Sequence, residues 1–319
     1  MEINVGDRAV LTMGEVHTGL LQHSVAVSTD FADQLLMPAR GLRVRRADRP
    51  MSYAISPDVV TGVDCELAAS TGAKVRGIGT VVSRVVLTGG HVVQGSAFVQ
   101  VSRGTAGRRL PWSDYMARPG AVETLGKVDA APLATGFFEL NLNSTDPWLD
   151  LGAIAVRAMD RIQTSHLIDH RSALKTSRTR LRWVAEPAES SRSISFTVRD
   201  GALRTVRLRI ADVDKEDLAS LCEDLALHDW LLTTLLSSVD RARIGTTPRS
   251  AVVGRLEPAL DHLIHLWMPV ARVDPTLVDL WHSLDRRTGL SRQWQAMVDR
   301  IRDQVNLANV EVYSHTRDS

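Results

Sequence analysis

The stretch VDKEDLASLCEDLALHDWLLTTLLSSVDRARI, from Val213 to Ile244, governs how the rest of the chain is interpreted. Its leucines recur every three or four residues, which predicts a core helix with one broad apolar stripe. A second apolar group lies on the other side of this helix and consists of Leu227, Trp230 and Leu231. One neighbouring element covers only one side of a helix. We therefore expect the preceding sheet, or else another protein, to cover the second group, whose members are interface candidates.

A carboxylate interrupts the main stripe of the same helix. Asp229 projects close to the angle of Leu218 and Cys222, and His228 lies at the edge of the stripe. Because a buried carboxylate is costly without a partner, Asp229 needs an ion pair. An arginine, His228 or a histidine of a neighbouring helix would complete that pair within the chain. The functional alternative is a site or an interface that completes it in trans.

The clearest strands in the sequence surround Gly89-Gly90. Runs of β-branched residues extend from Val81 to Leu87 and from Val92 to Val101. Paired glycines supply the positive φ that tight hairpin turns require, so the pattern predicts a β-hairpin. Further glycines flank these runs at Gly72, Gly77, Gly79 and Gly95. They indicate bulges in a curved sheet, or close approach by a ligand in a pocket whose polar groups would be Asp64, Arg76 and Arg84.

A segment broken by prolines follows, from Arg108 to Gly120, and it mixes arginines with Trp112 and Tyr115. Arginine beside aromatic rings is typical of protein hot spots and of sites for single-stranded nucleic acid. An irregular loop folded over the sheet edge explains the same residues. Trp112 and Tyr115 are accordingly interface candidates.

Loss of periodicity from Ala130 to Asn143 predicts a linker, with a domain boundary near Ser144. Residues 1–144 then form a β-rich domain, and residues 145–319 form an α+β domain. The second domain has three predicted strands and a C-terminal helical bundle, since four helical patterns follow one another after residue 213. The three strands, expected to form a small antiparallel sheet, are Thr179–Ala185, Ile194–Val198 and Val206–Ile210. The predicted fold class is α+β.

Arginines occupy outward positions of these three strands. They are Arg178, Arg180, Arg182, Arg204, Arg207 and Arg209. A solvated sheet face is one interpretation; a face that binds anions or nucleic acid is the other. A net charge of +1 over 319 residues provides no global attraction to nucleic acid, so any such binding depends on this local group.

Several classes of function lack support in the sequence. No apolar run reaches the roughly 20 residues that a membrane span needs, and we expect a cytosolic protein. Cys65 and Cys222 form no metal-ligand motif, and neither is expected to be an activated nucleophile. Two histidine pairs have metal-ligand spacing, His166 with His170 and His262 with His265, but no further ligands accompany them. The sequence therefore predicts no metal, and the absence of phosphate-binding glycine motifs predicts no nucleotide cofactor.

Six strings of the chain resemble an uncharacterised family of actinomycete cytosolic proteins. They are Thr61–Cys65, Arg76–Thr80, Gln94–Ala97, Pro111–Tyr115, Thr179–Trp183 and Leu221–Leu232. Members of that family are encoded beside a variant P-loop protein and a methyltransferase-like protein. The resemblance covers most of the chain and implies a component of a multi-protein system, with the P-loop protein as a candidate partner. It implies no family active site.

The sequence thus favours a non-enzymatic interaction or scaffold protein, whose partner is another protein or a second copy of this chain. Two alternatives stay open. One is a ligand-binding or enzymatic module in the glycine-rich β region, and the other is nucleic-acid binding through the arginine strands.

Overall fold

The fold is built on one sheet, whose strands β1 to β10 come from both halves of the chain. The computed structural model describes residues 9–37, 43–104, 109–126, 128–140, 147–189, 192–211, 213–244 and 246–317. The strands are β1 (Ala9–Leu20), β2 (Arg45–Ala47), β3 (Tyr53–Ile55), β4 (Val59–Leu67), β5 (Val75–Thr88), β6 (Val92–Arg103), β7 (Ala121–Leu125), β8 (Thr179–Pro187), β9 (Ser193–Val198) and β10 (Leu203–Ile210). Their order across the sheet is β2-β3-β5-β7-β6-β1-β8-β10-β9, and β4 also pairs with β5. All pairings are antiparallel except β6 with β7 and β8 with β10.

Eight helices accompany the sheet in the described residues. They are α1 (Thr29–Leu36), α2 (Trp112–Met116), α3 (Ala130–Glu139), α4 (Leu151–Gln163), α5 (Lys215–Ala242), α6 (Arg249–His262), α7 (Val278–Thr288) and α8 (Leu290–Arg317). Short 3-10 turns at Ile264–Leu266 and Pro275–Leu277 lie between α6 and α7. Within the described ranges, no helix has both the length and the apolar character that crossing a bilayer requires. The mixed α+β class predicted from the sequence is confirmed at this level.

The three C-terminal strands do not form a small antiparallel sheet of their own, so that detail of the prediction is wrong. β1 pairs with β6 on one side and with β8 on the other, and Gly14 lies opposite both Phe98 and Trp183. β8 then pairs with β10 in parallel. The predicted boundary near Ser144 falls outside the described residues, and the sheet runs continuously through strands from both sides of it. β1 is buried along most of its length, which explains why it needs a neighbour on each edge.

The predicted linker from Ala130 to Asn143 is wrong over Ala130–Glu139, which form α3, and its residues 141–143 lie outside the described residues. Leu133 and Phe137 on this helix are buried against the sheet. This helix contains Gly136, where a Cβ would lie 2.5 Å from the carbonyl oxygen of Ala68. The glycine therefore permits close packing of a helix against the chain beyond β4.

The hairpin around Gly89-Gly90 is confirmed. β5 and β6 pair from Val82 opposite Phe98 to Thr88 opposite Val92. Gly89 and Gly90 have φ of 57° and 68°, the left-handed region that glycine enters without strain.

Helices cover both faces of the sheet, and β6 shows how they are divided. Successive residues of a strand point to opposite faces. A Cβ on Gly95 would lie 2.2 Å from the carbonyl oxygen of Ala155 in α4. Its neighbour Gln94 donates a hydrogen bond of 2.9 Å to the carbonyl oxygen of Glu223 in α5. α4 and α5 thus pack on opposite faces, and α5 lies between the sheet on one side and α6 and α8 on the other.

Candidate functional site

The second apolar group of α5 faces the protein's own interior. Leu227, Trp230 and Leu231 are fully buried. The indole nitrogen of Trp230 donates a hydrogen bond of 2.9 Å to the carbonyl oxygen of Ser177, just before β8. The prediction that these three residues form an interface with another protein is therefore wrong. The alternative, that the preceding sheet region covers them, agrees with the position of α5 between the sheet and the C-terminal helices.

Asp229 has the intramolecular arginine partner that its position requires. Arg204 on β10 places Nε 2.6 Å from Asp229 Oδ2, with both side chains almost fully buried. Burial nevertheless raises the pKa of Asp229 from 3.8 to about 6, because desolvation of the carboxylate outweighs the attraction to Arg204. The other nitrogens of Arg204 donate to backbone carbonyls in the Asp200–Gly201 turn and to Thr233. The pair is a structural contact between α5 and β10.

His228 belongs to the side of α5 that faces the C-terminal helices. Its Nδ1 lies 2.7 Å from the carbonyl oxygen of Asp224, one turn earlier. Its ring meets Trp267 and Trp281 edge-on, with centroids 4.9 and 5.8 Å away. Asp224 also accepts a hydrogen bond of 3.1 Å from the backbone N–H of Val270. These contacts fix the segment after α6 to α5.

Arg84, a candidate for a ligand pocket, is instead a structural residue. Its guanidinium makes two hydrogen bonds to the Glu223 carboxylate, of 2.8 and 3.0 Å. The two side chains are 1% and 0% exposed. Phe98 lies beneath the guanidinium, 5.3 Å from ring centroid to carbon. Such a geometry satisfies both charges within the chain and leaves Arg84 unable to bind a ligand without breaking the pair.

The six arginines of the C-terminal strands do not form one anion-binding face. Arg182 is buried and donates 2.8 Å hydrogen bonds to Glu15 and to the carbonyl oxygen of Leu140. Arg204 lies on the opposite face, against α5. Arg178 pairs with an aspartate of α4 and Arg207 with a glutamate of β8. Arg180 and Arg209 lie on the same face of the sheet as Arg182. In the pairing of β8 with β10, Arg180 is opposite Leu203 and Arg209 is opposite Glu186, the glutamate that binds Arg207.

The cysteines and histidines show no activated or metal-binding arrangement in the described part of the chain. Burial, with the charge of Asp64, raises the pKa of Cys65 to about 12, and burial likewise raises the pKa of Cys222 well above that of a free thiol. No group of three or more His, Cys, Asp or Glu side chains in these ranges is placed to hold a metal ion. Sequence reasoning missed a contact between His91 at the hairpin and His262, whose ring nitrogens lie 3.1 Å apart. Burial, with a further contribution from His262, lowers the pKa of His91 to about 4.

An exposed aromatic surface is present on α2. Trp112 packs over Gly62 of β4, where a Cβ would lie 3.3 Å from the ring. Trp112 is 41% exposed, and Met116, one turn later, is 48% exposed. Tyr115 between them is buried, and its hydroxyl oxygen accepts a hydrogen bond of 3.0 Å from the backbone of Leu110. The interface prediction is wrong for Tyr115, which anchors the segment, whereas Trp112 is available at the surface.

Charged side chains extend this surface along β4 and β5. Arg76 donates to both carboxylate oxygens of Asp64, at 2.8 and 2.9 Å, and these bonds lower the pKa of Asp64. Arg109 lies 3.5 Å from the same carboxylate, with its guanidinium carbon 5.5 Å from the Trp112 ring centroid. The structure thus joins candidates from two separate predictions, Asp64 and Arg76 from the pocket and Trp112 from the interface. We define the Trp112 patch as Asp64, Arg76, Arg109, Trp112 and Met116.

No protein-family model matches this chain, and the searches of curated proteins and of solved structures found no match either.

Proposed function

We propose that this protein is a non-enzymatic interaction component of a multi-protein bacterial system and contacts its partner through the Trp112 patch. The observation that supports the proposal is the exposure of Trp112 and Met116 on one turn of α2. Tryptophan, methionine and arginine are the residue types enriched at the centres of protein interfaces. The patch therefore has the composition of a binding hot spot.

The charged members of the patch are already held in place before any partner binds. Arg76 is fixed by its bidentate contact with Asp64, and Arg109 lies between the carboxylate and the Trp112 ring. Association normally costs about 0.5–1.5 kcal/mol for each flexible side chain that becomes ordered. Because contacts within the patch already order Arg76 and Arg109, less conformational entropy is lost when a partner binds. This makes the patch suited to binding.

The charge of the patch indicates the chemistry of the partner surface. Two arginines and one aspartate give the patch one net positive charge. A complementary surface would offer an apolar pocket for Trp112 with carboxylates at its rim. The P-loop protein implied by the family resemblance is our candidate partner, and a second copy of this chain is the alternative. The cytosolic location also stays a prediction.

The test is recovery of the partner with Trp112→Ala compared with the unchanged protein. About 40% of a tryptophan surface of roughly 250 Å² remains to be buried, which corresponds to about 2 kcal/mol. The partner is first identified by cross-linking in the native host. We then expect the affinity of Trp112→Ala for that partner, measured by calorimetry, to be roughly thirtyfold lower than that of the unchanged protein. Size-exclusion chromatography with light scattering, applied to the unchanged protein and to Trp112→Ala, tests the alternative that a second copy of this chain binds the patch.

Leu236→Ala provides the matched control, because Leu236 is 39% exposed on α5, away from the patch. Met116→Ser is the second patch variant and removes exposed apolar surface without disturbing the Trp112 contact with β4. Equal affinity of the unchanged protein and both patch variants, with all of them folded, would exclude the patch as the interface.

The nucleic-acid alternative has less support. Arg178, Arg182, Arg204 and Arg207 are all engaged by carboxylates of the chain. Retention on DNA that falls steeply with salt, and that is lost on Arg180→Gln with Arg209→Gln, would favour this alternative instead.

A further inference from the structure

A cleft lies between α4 and the strands β4 and β5, on the sheet face opposite α5. Its volume is about 430 Å³. Small-molecule sites in proteins usually enclose about 300–1,000 Å³, so the cleft has the size of a site for a small metabolite. Nothing in the Trp112 patch contributes to its lining.

β4 separates this cleft from the Trp112 patch. Thr61 lines the cleft, whereas its neighbour Gly62 lies under the Trp112 ring. The strand alternation that sends successive residues to opposite faces explains the division. The glycine-rich β region therefore does border a pocket, as one sequence alternative predicts. Of the three residues predicted for it, Arg84 is part of the lining, although its guanidinium is bound to Glu223, whereas Asp64 and Arg76 lie on the other face of the sheet.

Two arginines of α4 form the charged wall of the cleft. Arg157 and Arg161 are one helical turn apart, and both line the cleft and are exposed. Neither side chain makes a hydrogen bond or an ion pair with any other described residue. Residues four apart on a helix lie on the same side, so two guanidinium groups are presented together.

The nearby carboxylate does not neutralise these arginines. Asp160 also lines the cleft, but its carboxylate lies 3.0 Å from Arg178, the residue that precedes β8. The C-terminal end of α4 contributes roughly half a negative charge, and the two guanidinium groups contribute two positive charges. The cleft is therefore positive at the α4 wall.

The remaining walls combine apolar side chains with hydroxyl groups. Val59, Val85 and Ile154 provide apolar surface. Ser83 and Thr61 add hydroxyls on the strand side, and the Ser83 hydroxyl lies 3.4 Å from the carbonyl oxygen of Val59. A pocket with this composition suits a ligand that has an anionic end and an apolar body.

We propose that the cleft binds a small phosphorylated molecule, with its phosphate on Arg157 and Arg161 and its apolar part against Val59 and Val85. Guanidinium groups are the side chains best matched to phosphate, since each offers two parallel N–H donors. This binding site is independent of the interaction proposed for the Trp112 patch.

The experiment is calorimetric titration with three probes at low and physiological salt. The probes are phenyl phosphate, inorganic phosphate and phenol. We expect phenyl phosphate to bind most tightly and inorganic phosphate more weakly. Phenol should show no saturable binding, because it lacks the anion. Binding of phenyl phosphate should weaken as salt rises.

The decisive comparison is the double variant Arg157→Gln/Arg161→Gln against the charge-matched control Arg171→Gln/Arg300→Gln, whose arginines are also exposed. The first should bind phenyl phosphate at least tenfold more weakly, and the control should bind it as the unchanged protein does. Absence of phenyl phosphate binding to the unchanged protein, or an equal loss in both double variants, overturns the proposal. Equal affinity for inorganic phosphate and phenyl phosphate overturns the role of the apolar wall. Trp112→Ala should leave this binding unchanged.

Discussion

Replacement of Asp229 by asparagine should change how the stability of the protein depends on pH. Asp229 lies within the apolar stripe of α5 beside Arg204, and burial raises its pKa from 3.8 to about 6. Asparagine has nearly the same shape but does not titrate. Arg204 keeps its contacts to the Asp200–Gly201 turn and to Thr233 in the variant, so the guanidinium remains hydrogen-bonded.

The sign and the size of the effect follow from the shift. Because the folded-state pKa exceeds the unfolded one, the folded protein binds the proton more tightly between these two values. Stability contributed by protonated Asp229 is therefore present below about pH 4 and is lost as pH rises through about 6. A shift of about two pKa units corresponds to about 3 kcal/mol.

Urea unfolding at intervals from pH 4 to pH 7.5 measures this contribution. The free energy of unfolding of the unchanged protein, minus that of Asp229→Asn, should fall by about 3 kcal/mol over that range. Other titrating groups cancel in the difference. Arg204→Gln removes the attraction that lowers the pKa of Asp229. In this variant the decrease in the free energy of unfolding should therefore continue to higher pH than in the unchanged protein. A difference that stays constant, or that increases with pH, would refute the argument that desolvation dominates at Asp229.

Three further sets of replacements test the packing, each followed by urea unfolding. Arg84→Met alone should cost about 3–5 kcal/mol, because the buried Glu223 carboxylate loses both of its Arg84 hydrogen bonds and keeps only the longer contact with Arg272, at 4.0 Å. The double replacement Arg84→Met/Glu223→Leu should recover most of that loss; equal stability of the single and double variants would contradict this. Gly254→Ala, in the interior of α6 with open space around it, should stabilise the protein by about 1 kcal/mol, whereas Gly95→Ala should destabilise it by about 3 kcal/mol through contact with the α4 backbone; a neutral Gly95→Ala would show that α4 is not seated on β6. Trp230→Ala should cost about 3–5 kcal/mol and leave the assembly state unchanged, as size-exclusion chromatography would show; a changed assembly with unchanged stability would restore the interface interpretation.

Much of the secondary structure was predictable from the sequence. The helix from Val213 to Ile244 is α5, and the Gly89-Gly90 turn joins β5 and β6. The three predicted C-terminal strands are β8, β9 and β10 with small changes at their ends. The prediction of a linker is wrong at α3, a helix that contains Gly136. A glycine that permits close packing cannot be distinguished from a turn glycine without its neighbours in space.

The candidate site was predictable only as separate parts. Asp64 and Arg76 were assigned to a pocket and Trp112 to an interface, and the structure places all three on one surface. The arginines of the cleft, Arg157 and Arg161, were missed. Their spacing of four residues on a helix was a signal, but exposed arginines at that spacing are common and gain meaning only from the cleft beside them.

The sequence by itself determined the local features of this protein, namely the apolar periodicity of α5, the strand alternation and the Gly-Gly turn. These depend on rotations per residue and on permitted φ values, which act over a few residues. Tertiary structure alone decided which charges meet. Arg84 is 139 residues from Glu223, and Arg182 is 167 residues from Glu15. With 38 basic and 37 acidic residues in the chain, very many pairings are compatible with the sequence. The packing of α4 and α5 on opposite faces of one sheet selects among them, because a buried charge is stable only where that packing brings it a partner.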